Sequence, residues 1–118
     1  MTHFLGKPTD MSKVLKLAKK YKLKVVEDTA LAIGSKIGSK FAGTFGDIGA
    51  FSFHPVKTIT TGEGGAIILK NKKDYNTIKS LKSFGYDIAS PNQRKVPGKN
   101  NVNYLGLNYR MSEIESAI

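Results

Sequence analysis

The sequence predicts an α/β fold, because helical and strand-forming segments alternate along its 118 residues. Apolar residues recur every three or four positions in Asp10–Tyr21 and again in Asp74–Phe84, as in amphipathic helices. Short runs rich in β-branched or aromatic residues, Leu23–Glu27, Ile48–Phe53 and Ala66–Lys70, are typical of strands. The first strand follows a helix, so we expect a mixed or parallel sheet with functional groups at its strand ends.

The first predicted helix has an apolar face opposite a basic face. Thr9 or Asp10 is suited to its N-cap, because either side chain can accept a hydrogen bond from the first turn. The strand after it ends at Asp28, and the glycine-rich segment 35–46 is typical of a hairpin or turn region. The apolar positions of the helix are Met11, Val14, Leu15 and Ala18.

The second predicted helix, Asp74–Phe84, is expected to end at Gly85, since glycine readily adopts the left-handed backbone of a C-terminal cap. The segment Tyr86–Tyr104 that follows is rich in Pro, Gly and Asn and lacks apolar periodicity. We therefore predict a long, lid-like loop there. The residues of the helix predicted to face inward are Tyr75, Ile78 and Leu81.

A last helix is predicted to begin at Ser112. Glu115, three residues later, completes a capping box with this serine. The helix then reaches Ile118 after about two turns. A capped helix that stops so early predicts that the chain is a fragment of a longer protein.

The composition excludes several kinds of protein. No run of about 18 apolar residues occurs, so no membrane span is expected, and the first residues lack the pattern of a signal peptide. The absence of cysteine excludes disulfides, thiolate catalysis and cysteine-based zinc sites, and a cytoplasmic protein is the expectation. The two histidines, His3 and His54, are too few for a histidine metal cluster, so no metal site is predicted.

The net charge of +10 is interpreted first as a solubility feature, because many of the lysines lie on the solvated faces of the predicted helices. Of the 19 basic residues, Arg94 and Arg110 are the two arginines. Base readout and bidentate phosphate recognition favour arginine. We therefore predict no nucleic-acid partner, and a small anionic substrate is the next interpretation of the charge.

Two ionisable residues stand out by their position. Asp28 and Lys57 each follow a strand, where α/β proteins tend to place ligand-contacting groups. Taken singly, Asp28 would be a turn or cap residue and Lys57 a solvated loop lysine. A glycine turn after Lys57, in FSFHPVKTITTGEGGAI, lets backbone approach closely, and the combination favours an active site.

These residue types suit pyridoxal phosphate (PLP) chemistry. A neutral lysine amine can attack an aldehyde and form a Schiff base. A carboxylate keeps the pyridine nitrogen protonated, so that the ring acts as an electron sink, and hydroxyl and backbone N–H groups hold the phosphate. The residues that would supply these groups are Asp28, Lys57, and Ser52 with Thr60 or Thr61.

Three motifs carry a family resemblance, namely VVEDTALAIGS, GDIGAFSFHPVKTITTGEGGAI and GLNYRMSEIESAI. They closely resemble the DegT/StrS family of sugar-nucleotide aminotransferases, and the resemblance extends over nearly the whole chain. It implies the three-layer α/β fold of the type I PLP-dependent transferases, with a mixed, mostly parallel sheet. It also implies that residues 1–118 are the central part of the PLP-binding large domain, with the N-terminal part and the C-terminal small domain absent.

The resemblance implies a role for each of four residues. Lys57 resembles the Schiff-base lysine that also shuttles the substrate proton, and Asp28 the partner of the pyridinium nitrogen. Ser52 resembles a phosphate ligand, and Asn108 the asparagine that reaches the cofactor phosphate of the neighbouring subunit in a homodimer. Family members move an amino group, usually from glutamate, onto a nucleotide-linked keto-sugar for surface polysaccharide, lipopolysaccharide or antibiotic biosynthesis.

Two positions refine this expectation. Some relatives carry histidine at the position of Lys57 and act as sugar dehydratases, so the lysine favours transamination. The family often has glutamine near the phenolic oxygen of the cofactor, where this chain has Leu31. His54 is either a neighbour of the cofactor or a packed turn residue. Arg110 either contacts a substrate phosphate or forms a structural salt bridge, and the salt bridge is the preferred interpretation.

The sequence leaves three hypotheses about the function open. The first is a PLP-dependent sugar aminotransferase. The second is a truncated fragment of such an enzyme that is catalytically incompetent alone. The third, a basic nucleic-acid-binding module, is disfavoured by the scarcity of arginine and by the lack of any glycine-aromatic RNA motif.

Overall fold

The computed structural model describes residues 1–87 and 100–118, which divide into two compact units. The first unit comprises Met1–Lys70 with Met111–Ile118, and the second comprises Asn71–Arg110. Most of the loop predicted over Tyr86–Tyr104 lies outside the described residues. In chain order the elements are a 3-10 helix (Phe4–Gly6), α1 (Met11–Lys20), β1 (Val26–Asp28), β2 (Lys36–Ile37), β3 (Lys40–Phe41), β4 (Ile48–Ser52), β5 (Gly65–Leu69), α2 (Lys72–Leu81) and α3 (Glu113–Ala117).

Helix α1 forms where its apolar spacing predicts it, and Asp10 is its N-cap. The Asp10 carboxylate accepts the Ser12 hydroxyl at 2.6 Å and the Lys13 N–H at 3.3 Å. These bonds and the Lys13 charge lower the pKa of Asp10 to about 2. The apolar face of α1 builds the core of the first unit, in which the buried residues are Met11, Ala18 and Val25, with Val14, Leu15 and Phe45 packed against them.

The sheet of the first unit is mixed, as predicted, with the strand order β1-β4-β5. Strands β1 and β4 are parallel, with Asp28 opposite Ala50, whereas β4 and β5 are antiparallel, with Ser52 opposite Gly65. Thr2 adds a parallel bridge to Asp28 on the outer side of β1. The predicted hairpin of segment 35–46 is confirmed as the antiparallel pair β2–β3.

Helix α2 of the second unit confirms the predicted helix, and of its predicted inner face Ile78 and Leu81 are half-buried. Tyr75 is exposed rather than buried, and the Nζ atoms of Lys72 and Lys79 lie 4.5 and 5.9 Å from the centre of its ring. The buried residue of the helix is Ser80, whose hydroxyl donates to the Tyr86 carbonyl at 2.5 Å. The sequence pattern misses this because a buried hydroxyl is stabilised by its partner rather than by its hydropathy.

The capping box of α3 is confirmed in both directions. The Ser112 hydroxyl accepts the Glu115 N–H at 3.1 Å, and the Glu115 carboxylate accepts the Ser112 N–H at 2.7 Å. Both bonds satisfy donors that a helix N-terminus leaves unpaired. Within residues 1–87 and 100–118, no helix is both long and apolar enough to cross a membrane.

We expect the Met11→Ala variant to lose about 2–5 kcal/mol of unfolding free energy, because its fully buried side chain would leave a cavity in the small core. Urea unfolding followed by circular dichroism measures this loss. Leu17→Ala on the same helix is the control, since Leu17 is 56% exposed and its loss should stay within about 0.5 kcal/mol. Equal losses in the two variants would contradict the assignment of the core.

Candidate active site

The carboxyl ends of β1 and β4 meet at one edge of the sheet, because the two strands are parallel. Asp28 is the last residue of β1 and Ser52 the last residue of β4. Asp28 lies opposite Ala50, and side chains two residues apart on a strand share a face, so Asp28 and Ser52 lie on the same face. From ordinary strand spacing and rise, their backbones are about 8 Å apart.

The Asp28 carboxylate is exposed and is held by two neighbours. Its Oδ1 accepts the Ala30 N–H at 3.1 Å, and its Oδ2 accepts the Thr2 hydroxyl at 3.4 Å. The bond from Ala30 is typical of an aspartate in a turn, which is the structural role expected of Asp28 taken singly. A carboxylate has about four acceptor positions, so both bonds can coexist with a further donor such as a protonated ring nitrogen.

The loop between β4 and β5 is closed at its base by the backbone of Phe53. The Phe53 N–H donates to the Gly64 carbonyl at 2.9 Å, and the Phe53 carbonyl accepts the Thr61 N–H at 3.1 Å. The hydroxyl of Thr60 donates to the same Phe53 carbonyl, and that of Thr61 donates to the Glu63 carbonyl. Because a hydroxyl has one proton to donate, both threonine protons are used within the loop here. The expectation that either threonine donates to a phosphate stays a prediction.

Lys57 is placed by a tight turn inside this loop. Its N–H donates to the His54 carbonyl at 2.9 Å, which closes a β-turn with Pro55 in the second position. The Lys57 side chain is half-buried. The Nδ1 atom of His54 accepts the Val56 N–H at 3.3 Å, so His54 has a structural role in this turn.

Ser52 retains a hydroxyl proton for an anion. Its Oγ accepts the His54 N–H at 3.4 Å, which uses an oxygen lone pair rather than the proton. The side chain is half-buried at the end of β4. Asp28 and Ser52 thus end two neighbouring parallel strands, and Lys57 lies in the loop that follows β4. Their roles as site residues stay a prediction.

Glu27, which sequence reasoning missed as a functional candidate, is fully buried on the opposite face from Asp28. Its carboxylate accepts the Gly46 N–H at 2.5 Å, the Gly43 N–H at 2.8 Å and the ring of His3 at 2.9 Å. Burial alone would raise the pKa of Glu27, but the hydrogen bonds from Gly46, His3 and Gly43 outweigh burial and lower it. A sequence signal existed, since an acidic residue stands inside a strand next to valines.

The turn around this carboxylate requires glycine. Gly43 has a φ of +84°, and a Cβ there would collide with the ring of Phe51. A Cβ at Gly46 would lie 2.6 Å from the Val25 carbonyl oxygen. The two glycines thus let the backbone N–H groups approach the carboxylate of Glu27 closely.

Asn108 belongs to the second unit, where the backbone on either side of it is bonded to the end of α2. The Leu107 N–H donates to the Leu81 carbonyl and the Tyr109 N–H to the Lys82 carbonyl, both at 2.9 Å. These bonds fix the backbone position from which the Asn108 side chain extends.

The Asn108 side chain is oriented by Arg110. The Nε of Arg110 donates to the Asn108 Oδ1 at 3.1 Å. Arginine can only donate, so the oxygen of the amide faces it and the amide NH₂ keeps both of its protons as donors. Arg110 also lies 5.4 Å from the ring centre of Phe84 and forms no ion pair among the described residues, so the expected salt bridge is wrong.

The sequence model of the DegT/DnrJ/EryC1/StrS aminotransferase family matches residues 1–118. This chain belongs to that family. The resemblance seen in the three motifs is thereby confirmed, and so is the assignment to an enzyme family of aminotransferases.

Individual family members are similar over almost the whole chain. GDP-perosamine synthase of Escherichia coli O157:H7 is 42% identical over 116 residues, which are 98% of this chain and 30% of that protein. The solved aminotransferase of Psychrobacter cryohalolentis has a TM-score of 0.89 at 33% identity and is covered to 30% by this chain. Helicobacter pylori PseC, an aminotransferase involved in the biosynthesis of pseudoaminic acid, has a TM-score of 0.87 at 34% identity.

These similarities confirm the aminotransferase fold class predicted from the motifs. In each case the match covers 98% of this chain. The chain spans about 30% of the length of the relatives that it matches. The chain therefore matches only one part of the sequence of each of these relatives.

We expect the stability of the protein to fall as the pH drops below about 4.5, the ordinary pKa of glutamate. The pKa of Glu27 is lower in the folded state, so its contribution is complete above the unfolded pKa and is lost as the pH falls through the folded pKa. Urea unfolding at several values between about pH 3 and 7 measures this dependence.

The Glu27→Gln variant should be less stable at neutral pH and should lose stability less steeply in acid, because it lacks the titrating group. Glu113→Gln, at an exposed position of α3, is the control and should keep the wild-type slope. An acid slope in Glu27→Gln as steep as that of the wild type would contradict the role of Glu27.

Proposed function

We propose that this aminotransferase chain uses PLP and transfers an amino group, from glutamate, to a nucleotide-linked keto-sugar. The observation that supports the proposal is the sheet edge at which Asp28 and Ser52 share a face, together with the closed turn after β4 that contains Lys57. The three side chains have the chemistry that a pyridine nitrogen, a phosphate and an aldehyde require.

The chain's own groups fit the cofactor in three ways. Asp28 has acceptor positions left on its carboxylate and would hold a proton on the ring nitrogen. Ser52 has a hydroxyl proton to donate to the phosphate. Lys57 would bind the aldehyde through Nζ and then carry the proton between the substrate carbon and the cofactor. When bound, PLP supplies the electron sink for the transfer.

The proposed substrate class follows from relatives and from Lys57. The relatives named above include GDP-perosamine synthase and an aminotransferase for pseudoaminic acid, which supports amino-sugar formation for surface polysaccharides. Lysine rather than histidine at position 57 favours transamination over dehydration. Leu31 has no hydrogen-bonding side chain, so a glutamine-type contact to the phenolic oxygen of the cofactor is not made from this position.

We also infer that the active form is a homodimer in which Asn108 serves the site of the neighbouring copy. The bond from Arg110 leaves the amide NH₂ of Asn108 as the outward donor. A phosphate accepts such donors. The bonds around Leu107 and Tyr109 hold the donor in a fixed place, as an anion site requires.

A labelling experiment tests the role of Lys57. The purified protein is incubated with PLP, reduced with borohydride and digested, and the labelled peptide is identified by mass spectrometry. We expect the label on Lys57 alone, because its turn directly follows the strand that ends at Ser52, the proposed phosphate ligand. Lys57→Ala should abolish labelling, whereas Lys16→Ala on the exposed face of α1 should not. Labelling scattered over many lysines would overturn the proposal.

A subunit-mixing experiment tests the shared site. Lys57→Ala and Asn108→Asp proteins should each label poorly, because one lacks the amine and the other replaces a donor by an acceptor. After the two proteins are mixed and allowed to exchange subunits, hybrid dimers carry one intact site, so labelling should return to about a quarter of the wild-type level. Mixing Lys57→Ala with itself is the control. Failure of the mixture to recover would place Asn108 outside its partner's site.

A further inference from the structure

The segment Met1–His3 holds the end of β1 at which Asp28 stands. The Asp28 N–H donates to the Met1 carbonyl at 2.7 Å, and the Asp28 carbonyl accepts the His3 N–H at 3.0 Å. Thr2 is the bridge residue between these two bonds. Both backbone polar groups of Asp28 therefore depend on the position of this segment.

The side chains of the segment lie on both faces of the sheet. The Thr2 hydroxyl reaches the carboxylate of Asp28 at 3.4 Å, whereas the His3 ring is fully buried with Glu27 on the opposite face. This alternation is that of an extended strand. The buried His3 side chain thus anchors the segment. The exposed Thr2 side chain contacts Asp28, the residue expected to bind the cofactor.

The hydrogen bonds of His3 define its protonation. Its Nδ1 accepts the Thr9 N–H at 3.0 Å, so the ring proton is on Nε2 and is donated to the Glu27 carboxylate at 2.9 Å. The ring is therefore neutral, and the Glu27 charge is stabilised by hydrogen-bond donors. Gly43 and Gly46 complete these donors.

We propose that His3 and Glu27 are positioning residues for Asp28, and that their buried hydrogen bond fixes the segment Met1–His3 so that the Asp28 carboxylate is held where it meets the cofactor. The proposal rests on the proposed role of Asp28 as partner of the pyridinium nitrogen. Neither residue would touch the cofactor, because both are buried on the other face of the sheet.

The dependence of Asp28 on this bond has a physical reason. The Asp28 side chain is exposed and has the Ala30 N–H and the Thr2 hydroxyl as its neighbours, so its direction follows from its backbone. Loss of the His3 donor would leave a buried carboxylate with an incomplete set of partners, which is costly. The segment would then move, and the backbone bonds of Asp28 would move with it.

The test compares His3→Leu with Met11→Ala, a variant in the buried cluster under α1 that replaces no side-chain hydrogen bond of His3, Glu27 or Asp28. The dissociation constant for PLP is measured by absorbance titration, beside the free energy of unfolding. We expect His3→Leu to weaken PLP binding about tenfold and Met11→Ala to change it less than about twofold, even at equal loss of stability. Weakening in both variants in proportion to their lost stability would overturn the proposal.

Two further variants keep the test decisive if His3→Leu fails to fold. His3→Gln supplies an amide that can donate to Glu27 and accept from Thr9, so it should restore binding to within about threefold of the wild type. Glu27→Gln keeps the shape of the side chain but opposes the glycine N–H groups with its own NH₂, so it should weaken binding. The reverse order of these two variants would overturn the proposal.

A measurement on the cofactor-free protein separates this proposal from the proposed function. In amide NMR spectra, His3→Leu or His3→Gln is compared with Met11→Ala at the signals of Asp28 and Ala30. We expect these signals to shift in His3→Leu, to stay near their wild-type positions in His3→Gln and not to move in Met11→Ala. Unchanged signals in His3→Leu overturn the positioning role. A wild type that shows no saturable PLP binding overturns the proposed function instead, whatever the spectra show.

Discussion

The buried carboxylate of Glu27 is the constraint on which the first unit depends. A charge removed from water must be satisfied by nearby donors, and here backbone N–H groups and a neutral histidine provide them. Those donors come from His3 and from the turn that contains Gly43 and Gly46. One carboxylate therefore fixes two separate parts of the chain, the segment of His3 and the glycine turn, around β1.

The directions of the strand pairs explain where these groups come from. A parallel pair cannot be joined by a tight turn, so the chain between β1 and β4 is long, and it is this connection that contains the glycine turn around Glu27. The antiparallel pair of β4 and β5 allows a compact loop, and that loop holds Lys57. The connection before β4 thus supplies the donors that hold the Glu27 carboxylate. The loop after β4 supplies the candidate reactive lysine.

The polar residues at the ends of β1 and β4 and in the loop after β4 divide into those that build the loop and those left for a ligand. Thr60 and Thr61 donate their hydroxyl protons to loop carbonyls, and His54 accepts within its own turn. Ser52 keeps its proton, and Asp28 keeps acceptor positions. Hydroxyl side chains a few positions apart thus have different roles. Those of Thr60 and Thr61 satisfy loop carbonyls, whereas that of Ser52 keeps its proton for a ligand.

The sequence by itself determined the helices, the mixed sheet and the positions of Asp28, Ser52 and Lys57, because periodicity, capping residues and strand ends are local properties. It also carried the family resemblance through its motifs. Only the tertiary structure decided that Tyr75 is exposed, that Ser80 is buried, and that the threonines are committed to the loop. The tertiary structure likewise brought His3, Glu27 and the glycine turn together. These outcomes depend on contacts between residues distant in sequence, and the free energy of a buried polar group is set by partners that no local pattern contains.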